Sequence, residues 1–180
     1  MPIAQEKKFH GFVLSQILTS LECTEKTSFR LQQNEQRSSY VIELLIHGKI
    51  VGRIGLFIKT SQKRRSPWSY TFTKPHQLEI AKLDAEINET FLLLVNNDDG
   101  VTVLDYKELK QVLDDHFDDT EWIRVSRKLN SQYAVSGKDG ELKGKVPPSD
   151  FPKVIVQSAS DLLKGESLID SIKLSFRKLF

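Results

Sequence analysis

The residues most able to do chemistry lie in one basic segment that follows a predicted β-strand. Lys59 ends an apolar run, three further cations follow it within six positions, and Trp68 stands three positions after the last of them. Ammonium and guanidinium groups bind phosphates, and aromatic rings stack on nucleic-acid bases. The segment therefore predicts a nucleic-acid-binding site made of Lys59, Lys63, Arg64, Arg65 and Trp68.

The same segment has a purely structural alternative. Charged side chains on a loop keep a neighbouring edge strand from pairing with other chains, while Trp68 packs in the core. The chain carries 26 basic and 24 acidic residues, a net charge of only +2, so its composition does not by itself require a polyanionic partner. The sequence leaves both alternatives open.

The order of the predicted elements over residues 7–96 gives a second indication. It is helix, strand, hairpin, helix and strand, in which Tyr40–Ile46 and Ile50–Lys59 form the hairpin around the turn His47-Gly48-Lys49. This αβββαβ order, with a lysine at the end of its third strand, resembles the core of the PD-(D/E)xK nuclease superfamily, which includes restriction endonucleases and Holliday junction resolvases. The resemblance implies a restriction-endonuclease-like fold.

The resemblance also implies roles for individual residues. In that superfamily carboxylates on the hairpin hold Mg²⁺, and a lysine polarises the attacking water or the phosphate. Lys59 stands at the position of that lysine, Glu43 at that of the first acid, and Glu22 at that of an auxiliary acid. Lys59 and Glu43 are thus the candidate catalytic residues.

The sequence departs from the superfamily pattern two residues before the lysine. Phe57 stands where the pattern has Asp or Glu, and a phenyl ring cannot ligate Mg²⁺, which requires oxygen ligands. We therefore expect a protein that binds DNA or RNA through a nuclease-like fold, with impaired or absent catalysis, no metal site and no cofactor. The alternative is an active nuclease that uses Mg²⁺, with Glu43 and Asp84 as its acids.

Other potential sites are weaker. The four histidines show no His-x-x-x-His pair, and a single cysteine, Cys23, excludes an internal disulfide and a thiolate-rich zinc site. Asp98 and Asp99 precede a turn glycine, which favours a hairpin turn. Asp105-Tyr106-Lys107-Glu108 resembles a capping box, and the helix that it opens is predicted to carry Leu109, Val112 and Leu113 on its inner face. The acidic cluster that follows this helix is expected to be solvated surface; it consists of Asp114, Asp115, Asp118 and Asp119.

Together the elements predict an α/β (α+β) protein with a central mixed β-sheet flanked by helices. We expect residues 1–180 to form a single domain. Within it we distinguish a nuclease-like core (1–96), a strand-rich extension (97–157) and a C-terminal helical segment (158–180) interrupted near Gly165. The amphipathic stretch Leu168–Phe180 permits a third function, docking a protein partner or a second copy, although it can equally pack on its own sheet.

The hydrophobic pattern bears on location. The longest apolar runs, such as Phe91–Val95, are about a quarter of the ~20 residues that a membrane-spanning helix needs. No apolar run of the signal-peptide type follows the N-terminus, and one cysteine fits a reducing compartment. We therefore predict a cytoplasmic protein that is not embedded in a membrane.

Overall fold

A five-stranded mixed β-sheet forms the centre of the molecule. The structure is a computed structural model that describes residues 4–34, 38–117 and 119–177, with the backbone alone over 166–177. In chain order its elements are α1 (Gln5–Ser20), β1 (Thr27–Gln33), β2 (Ser39–Ile46), β3 (Lys49–Ser61), β4 (Trp68–Phe72), α2 (Lys74–Glu86), β5 (Glu89–Asn96), a 3₁₀ turn (Asn97–Asp99), β6 (Val101–Asp105), α3 (Tyr106–Leu109), β7 (Glu121–Ser126), β8 (Ala134–Gly137) and α4 (Asp150–Arg177).

The central sheet has the strand order β1-β2-β3-β5-β6. Its first three strands are antiparallel to one another, β5 runs parallel to β3, and β6 returns antiparallel to β5. The β2–β3 hairpin turns at His47 and Gly48, whose φ values of 49° and 78° are those of a type I′ turn. The predicted hairpin and the predicted mixed sheet flanked by helices are confirmed.

Each face of this sheet is covered by a different layer. On one face α1 and α4 pack against strand residues such as Ile54 and Leu56, with Val13, Ile17 and Ile155 fully buried between the layers. The other face carries Phe57, Leu92 and Leu94 and is covered by α2, α3 and a second sheet. The end of β3 therefore meets α2, and this contact positions Lys59.

The second sheet was not predicted as a separate layer. Strands β4, β7 and β8 form it, in that order and all antiparallel. In β4 the aromatic residues Trp68, Tyr70 and Phe72 are buried while Ser69 and Thr71 are exposed. This alternation leaves one apolar face to pack on the central sheet and one polar face to solvent.

Two helical predictions need correction. The capping box at Asp105 is present, because Asp105 Oδ1 accepts from the Glu108 amide at 2.7 Å, but α3 ends at Leu109. The expected break near Gly165 is wrong, since α4 continues through it to Arg177. The side chains of the predicted docking stretch Leu168–Phe180 lie outside the described residues.

Among the described residues, no helix combines the length and apolar character that a membrane crossing needs.

Candidate functional site

Lys59 lies near the end of β3, where α2 begins beside it. The side chain is half-buried, and its Nζ is 3.3 Å from Nδ1 of His76 and 5.7 Å from the centre of the Phe72 ring. Burial lowers the pKa of Lys59, and the charges of Glu6 and Glu79 oppose that shift. The predicted phosphate-binding lysine is therefore a partly desolvated cation rather than an open surface charge.

His76 is held by the start of its own helix. It is the third residue of α2, and its Nδ1 accepts the backbone N–H of the N-cap residue Thr73 at 3.2 Å. An ammonium group can only donate, so the imidazole must offer an unprotonated nitrogen to Lys59. Burial lowers the pKa of His76, and the Lys59 charge lowers it further. Both effects favour the neutral ring at neutral pH.

Two carboxylates act on Lys59, and neither of them was predicted. Glu6 belongs to α1 and Glu79 to α2. Glu79 Oε1 accepts a short hydrogen bond from the fully buried Ser39 hydroxyl, and its Oε2 is buried without a partner among the described residues. Ser39 pairs with Phe57 across the hairpin. The site thus consists of a cation and a neutral imidazole in contact, under the longer-range charge of two carboxylates.

Glu43 does not take part in this site. It is 4% exposed, and its two oxygens accept from Arg53 Nε at 3.1 Å and Arg30 Nη1 at 3.2 Å. Glu43 pairs with Arg53, whereas Lys59 lies six residues further along β3, a separation of about 20 Å at ~3.3 Å per residue. The structure therefore does not bring the two predicted catalytic residues together.

The other predicted acids are also distant from the lysine. Asp84 lies on α2, eight residues beyond His76, or about 12 Å along the helix axis at ~1.5 Å per residue. Burial raises the pKa of Asp84, and the charge of Lys110 opposes that shift. Glu22 is exposed after the end of α1.

The basic loop between β3 and β4 is exposed as predicted. Arg64 and Arg65 extend to solvent, and Lys63 donates from Nζ to the Pro67 carbonyl at 2.8 Å. The loop is tied to the end of β7, because the Ser66 hydroxyl accepts the backbone N–H of Arg127 at 2.8 Å. The loop therefore presents two exposed guanidinium groups at the edge of the second sheet.

Trp68 is not a stacking residue. It is 2% exposed, its Nε1 donates to the Lys63 carbonyl at 2.8 Å, and its ring meets Tyr133 edge-on at 6.4 Å between centroids. The prediction that Trp68 contacts nucleic acid is wrong, and the alternative that it packs in the core is confirmed. The physical reason is the alternation in β4: the side of the strand that carries its aromatic residues forms the inner face of the sheet.

The exposed aromatic residue of this region is Trp122. It is 40% exposed on the solvent face of β7, and the Arg124 guanidinium lies 5.4 Å from its ring. Thr71 and Ser69 of β4 pair with these two residues. The sequence indicates the exposure of Trp122, because it alternates with the apolar residues Ile123 and Val125, which point inward. We call this surface the cationic face; it consists of Lys63, Arg64, Arg65, Trp122 and Arg124.

The two regions differ in what they can do. The cationic face offers exposed guanidinium groups and a ring of the type that stacks on bases. The Lys59 site offers a partly desolvated ammonium, which binds an oxyanion more strongly than a solvated one does. Comparison of the chain with protein-family models, with curated proteins and with solved structures finds no match.

Proposed function

We propose that this protein binds nucleic acid through the cationic face, on a nuclease-like fold with impaired or absent catalysis. One observation carries the proposal: Arg124 lies against the half-exposed ring of Trp122, and the exposed loop with Arg64 and Arg65 joins the same sheet. Cations that bind phosphates beside a ring that stacks on bases are the combination that single-stranded nucleic acid requires.

The arrangement of the core supports the nuclease-like part of the proposal. Helix α1 precedes an antiparallel β1-β2-β3 unit, and α2 leads to β5 parallel to β3. This is the αβββαβ order of the resemblance, with β4 added as part of the second sheet. Phe57 is fully buried, with its ring edge-on to His76 at 5.9 Å. No acid stands at that position, which favours impaired catalysis.

Fluorescence anisotropy with labelled single-stranded DNA, duplex DNA and RNA tests the proposal. We expect affinity to fall as salt rises, and the paired change Arg64→Ala, Arg65→Ala to reduce the salt slope by about two units. Trp122→Ala should weaken single-strand binding by about 1–3 kcal/mol. The matched control is Lys49→Ala with Lys82→Ala, which removes two exposed cations outside the second sheet. Binding that is absent or insensitive to salt would reject the proposal.

An active nuclease that uses Mg²⁺ is the second candidate, and one observation favours it. Glu6 and Glu79 both act on Lys59, and Glu79 Oε2 is a buried carboxylate oxygen without a partner among the described residues. Incubation of single-stranded DNA, duplex DNA and RNA with the protein and Mg²⁺ or Mn²⁺ decides between the two candidate functions. Cleavage that disappears in Lys59→Ala and in Glu79→Gln would support the active enzyme; no cleavage of any substrate would leave the binding protein.

A further inference from the structure

Three carboxylates converge around the start of β7. Asp114 follows α3, Glu121 begins β7, and Asp139 lies in the turn after β8. One carboxylate oxygen from each lies within 4.8 Å of the other two. Charges of the same sign this close repel one another unless a cation or a proton lies between them. The expected solvated surface at Asp114 is therefore part of a defined cluster.

Glu121 distinguishes this cluster from ordinary surface acids. It is only 1% exposed, and its Oε2 is buried without a hydrogen-bond partner among the described residues. Buried carboxylates are normally paired or bound to a metal. The nearby cation Lys138 has its Nζ 3.4 Å from Asp119 Oδ2, and its charge also lowers the pKa of Asp114 and opposes the rise in the pKa of Glu121. Glu121 Oε2 itself has no hydrogen-bond partner among the described residues and can bind a ligand.

A second observation comes from a residue outside the acidic cluster. Gln77 is 5% exposed, and its Nε2 donates to the carbonyls of Phe72 and Asp119 at 3.0 and 2.9 Å. These bonds fix the amide, and its Oε1 is left buried without a partner among the described residues. Gln77, Asp114 and Glu121 line one cavity together with Lys110 and apolar side chains, whereas Asp139 lies outside that lining. The cavity has a volume of about 10 Å³, the size that holds a single water or ion.

We propose that Asp114, Glu121 and Asp139 bind a divalent cation of the Ca²⁺ class, with the Gln77 amide oxygen as a neutral ligand on the buried side. Ca²⁺ binds carboxylate and amide oxygens at about 2.3–2.6 Å and tolerates irregular geometry. Two oxygens that bind one such ion lie at most about 4.8 Å apart, and the three carboxylates meet that limit. Mg²⁺ requires about 2.0–2.1 Å and near-ideal octahedral geometry, so we expect it to bind more weakly.

Isothermal titration of the chelator-treated full chain with CaCl₂ and with MgCl₂ tests this site, with thermal unfolding as a second readout. We expect one Ca²⁺ per chain, a higher melting temperature in Ca²⁺, and weaker binding of Mg²⁺. Asp139→Asn and Glu121→Gln should each weaken Ca²⁺ binding at least tenfold. Asp161→Asn, which changes an exposed carboxylate on α4, should leave binding unchanged.

Three outcomes would overturn the proposal. The first is no heat and no melting shift at millimolar Ca²⁺, and the second is binding that persists unchanged in Asp139→Asn. The third is tighter binding of Mg²⁺ than of Ca²⁺. If Glu121→Gln fails to fold, Asp139→Asn still decides, because Asp139 is exposed and its replacement leaves the core intact. None of these residues belongs to the cationic face, so loss of nucleic-acid binding and loss of Ca²⁺ binding are separate results.

Discussion

The ammonium of Lys59 lies 3.3 Å from Nδ1 of His76, so the end of β3 and the first turn of α2 are joined by two ionisable groups. Burial lowers the pKa of each, and the positive charge of Lys59 lowers that of His76 further. The contact therefore places a neutral imidazole beside a partly desolvated cation, and the pKa of His76 depends on the charge of Lys59.

Replacing Lys59 with methionine should raise the pKa of His76. The substitution keeps the apolar stem and removes the charge that opposes protonation of the ring. NMR titration of the His76 ring signals measures the effect. Lys63→Met is the control, because Lys63 is exposed and bonded to the Pro67 carbonyl. An unchanged His76 pKa in Lys59→Met would mean that the two side chains do not meet in solution.

Replacement of the two tryptophans by alanine should affect different properties, stability for Trp68 and nucleic-acid binding for Trp122. Trp68 is 2% exposed in the core beneath the second sheet, so Trp68→Ala should cost about 3–5 kcal/mol of unfolding free energy. Trp122 is 40% exposed, so Trp122→Ala should change stability far less while weakening nucleic-acid binding. Urea unfolding and anisotropy measure the two effects. A large stability loss for Trp122 with unchanged binding would contradict the assigned surface.

These contrasts show which parts of the fold the sequence encodes locally. The β2–β3 hairpin was predictable, because a turn with glycine separates two apolar strands of suitable length. The exposure of Trp122 was also predictable from the alternation with Ile123 and Val125. In contrast, the pairing of β4 with β7 joins segments that are far apart in the chain, and no local pattern specifies it.

The register of the hairpin separates Glu43 from Lys59 with or without a bulge. An unbroken hairpin with Ile46 opposite Lys49 would pair Glu43 with Gly52. The observed register shifts by one residue between Leu44 and Leu45 and places Glu43 opposite Arg53, which is still distant from Lys59. A bulge of this kind depends on packing rather than on a local motif. The acids that act on Lys59 come instead from two helices, whose placement on the sheet is a tertiary property.

Acidification should destabilise the protein partly through His10. The ring is buried in α1, its Nδ1 lies 3.0 Å from the Tyr40 hydroxyl, and burial lowers its pKa. Above the unfolded pKa of about 6.5 both states are neutral, so His10 adds no pH dependence. As the pH falls below that value, the unfolded state binds a proton first, and stability declines until the folded pKa is passed.

The variant His10→Gln should make that decline shallower. Unfolding free energies from urea titrations between pH 5 and pH 8 provide the measurement. His116→Gln, which replaces an exposed histidine outside the core, is the control. An identical slope in His10→Gln and in the unmodified protein would show that His10 titrates alike in the folded and unfolded states.

Glu43 should prove to be a structural residue. Its carboxylate is buried between Arg30 and Arg53, whose own side chains are 58% and 45% exposed. Glu43→Gln removes the charge that both guanidinium groups bind, but each arginine can return to water, so we expect a loss of only about 1–3 kcal/mol. Urea unfolding measures this loss, and Glu89→Gln, at an exposed position at the start of β5, is the control. Because Glu43 is about 20 Å from Lys59 along β3, nucleic-acid affinity and any metal-dependent cleavage should be unchanged in Glu43→Gln. A variant of normal stability that loses either activity would place Glu43 in the functional site after all.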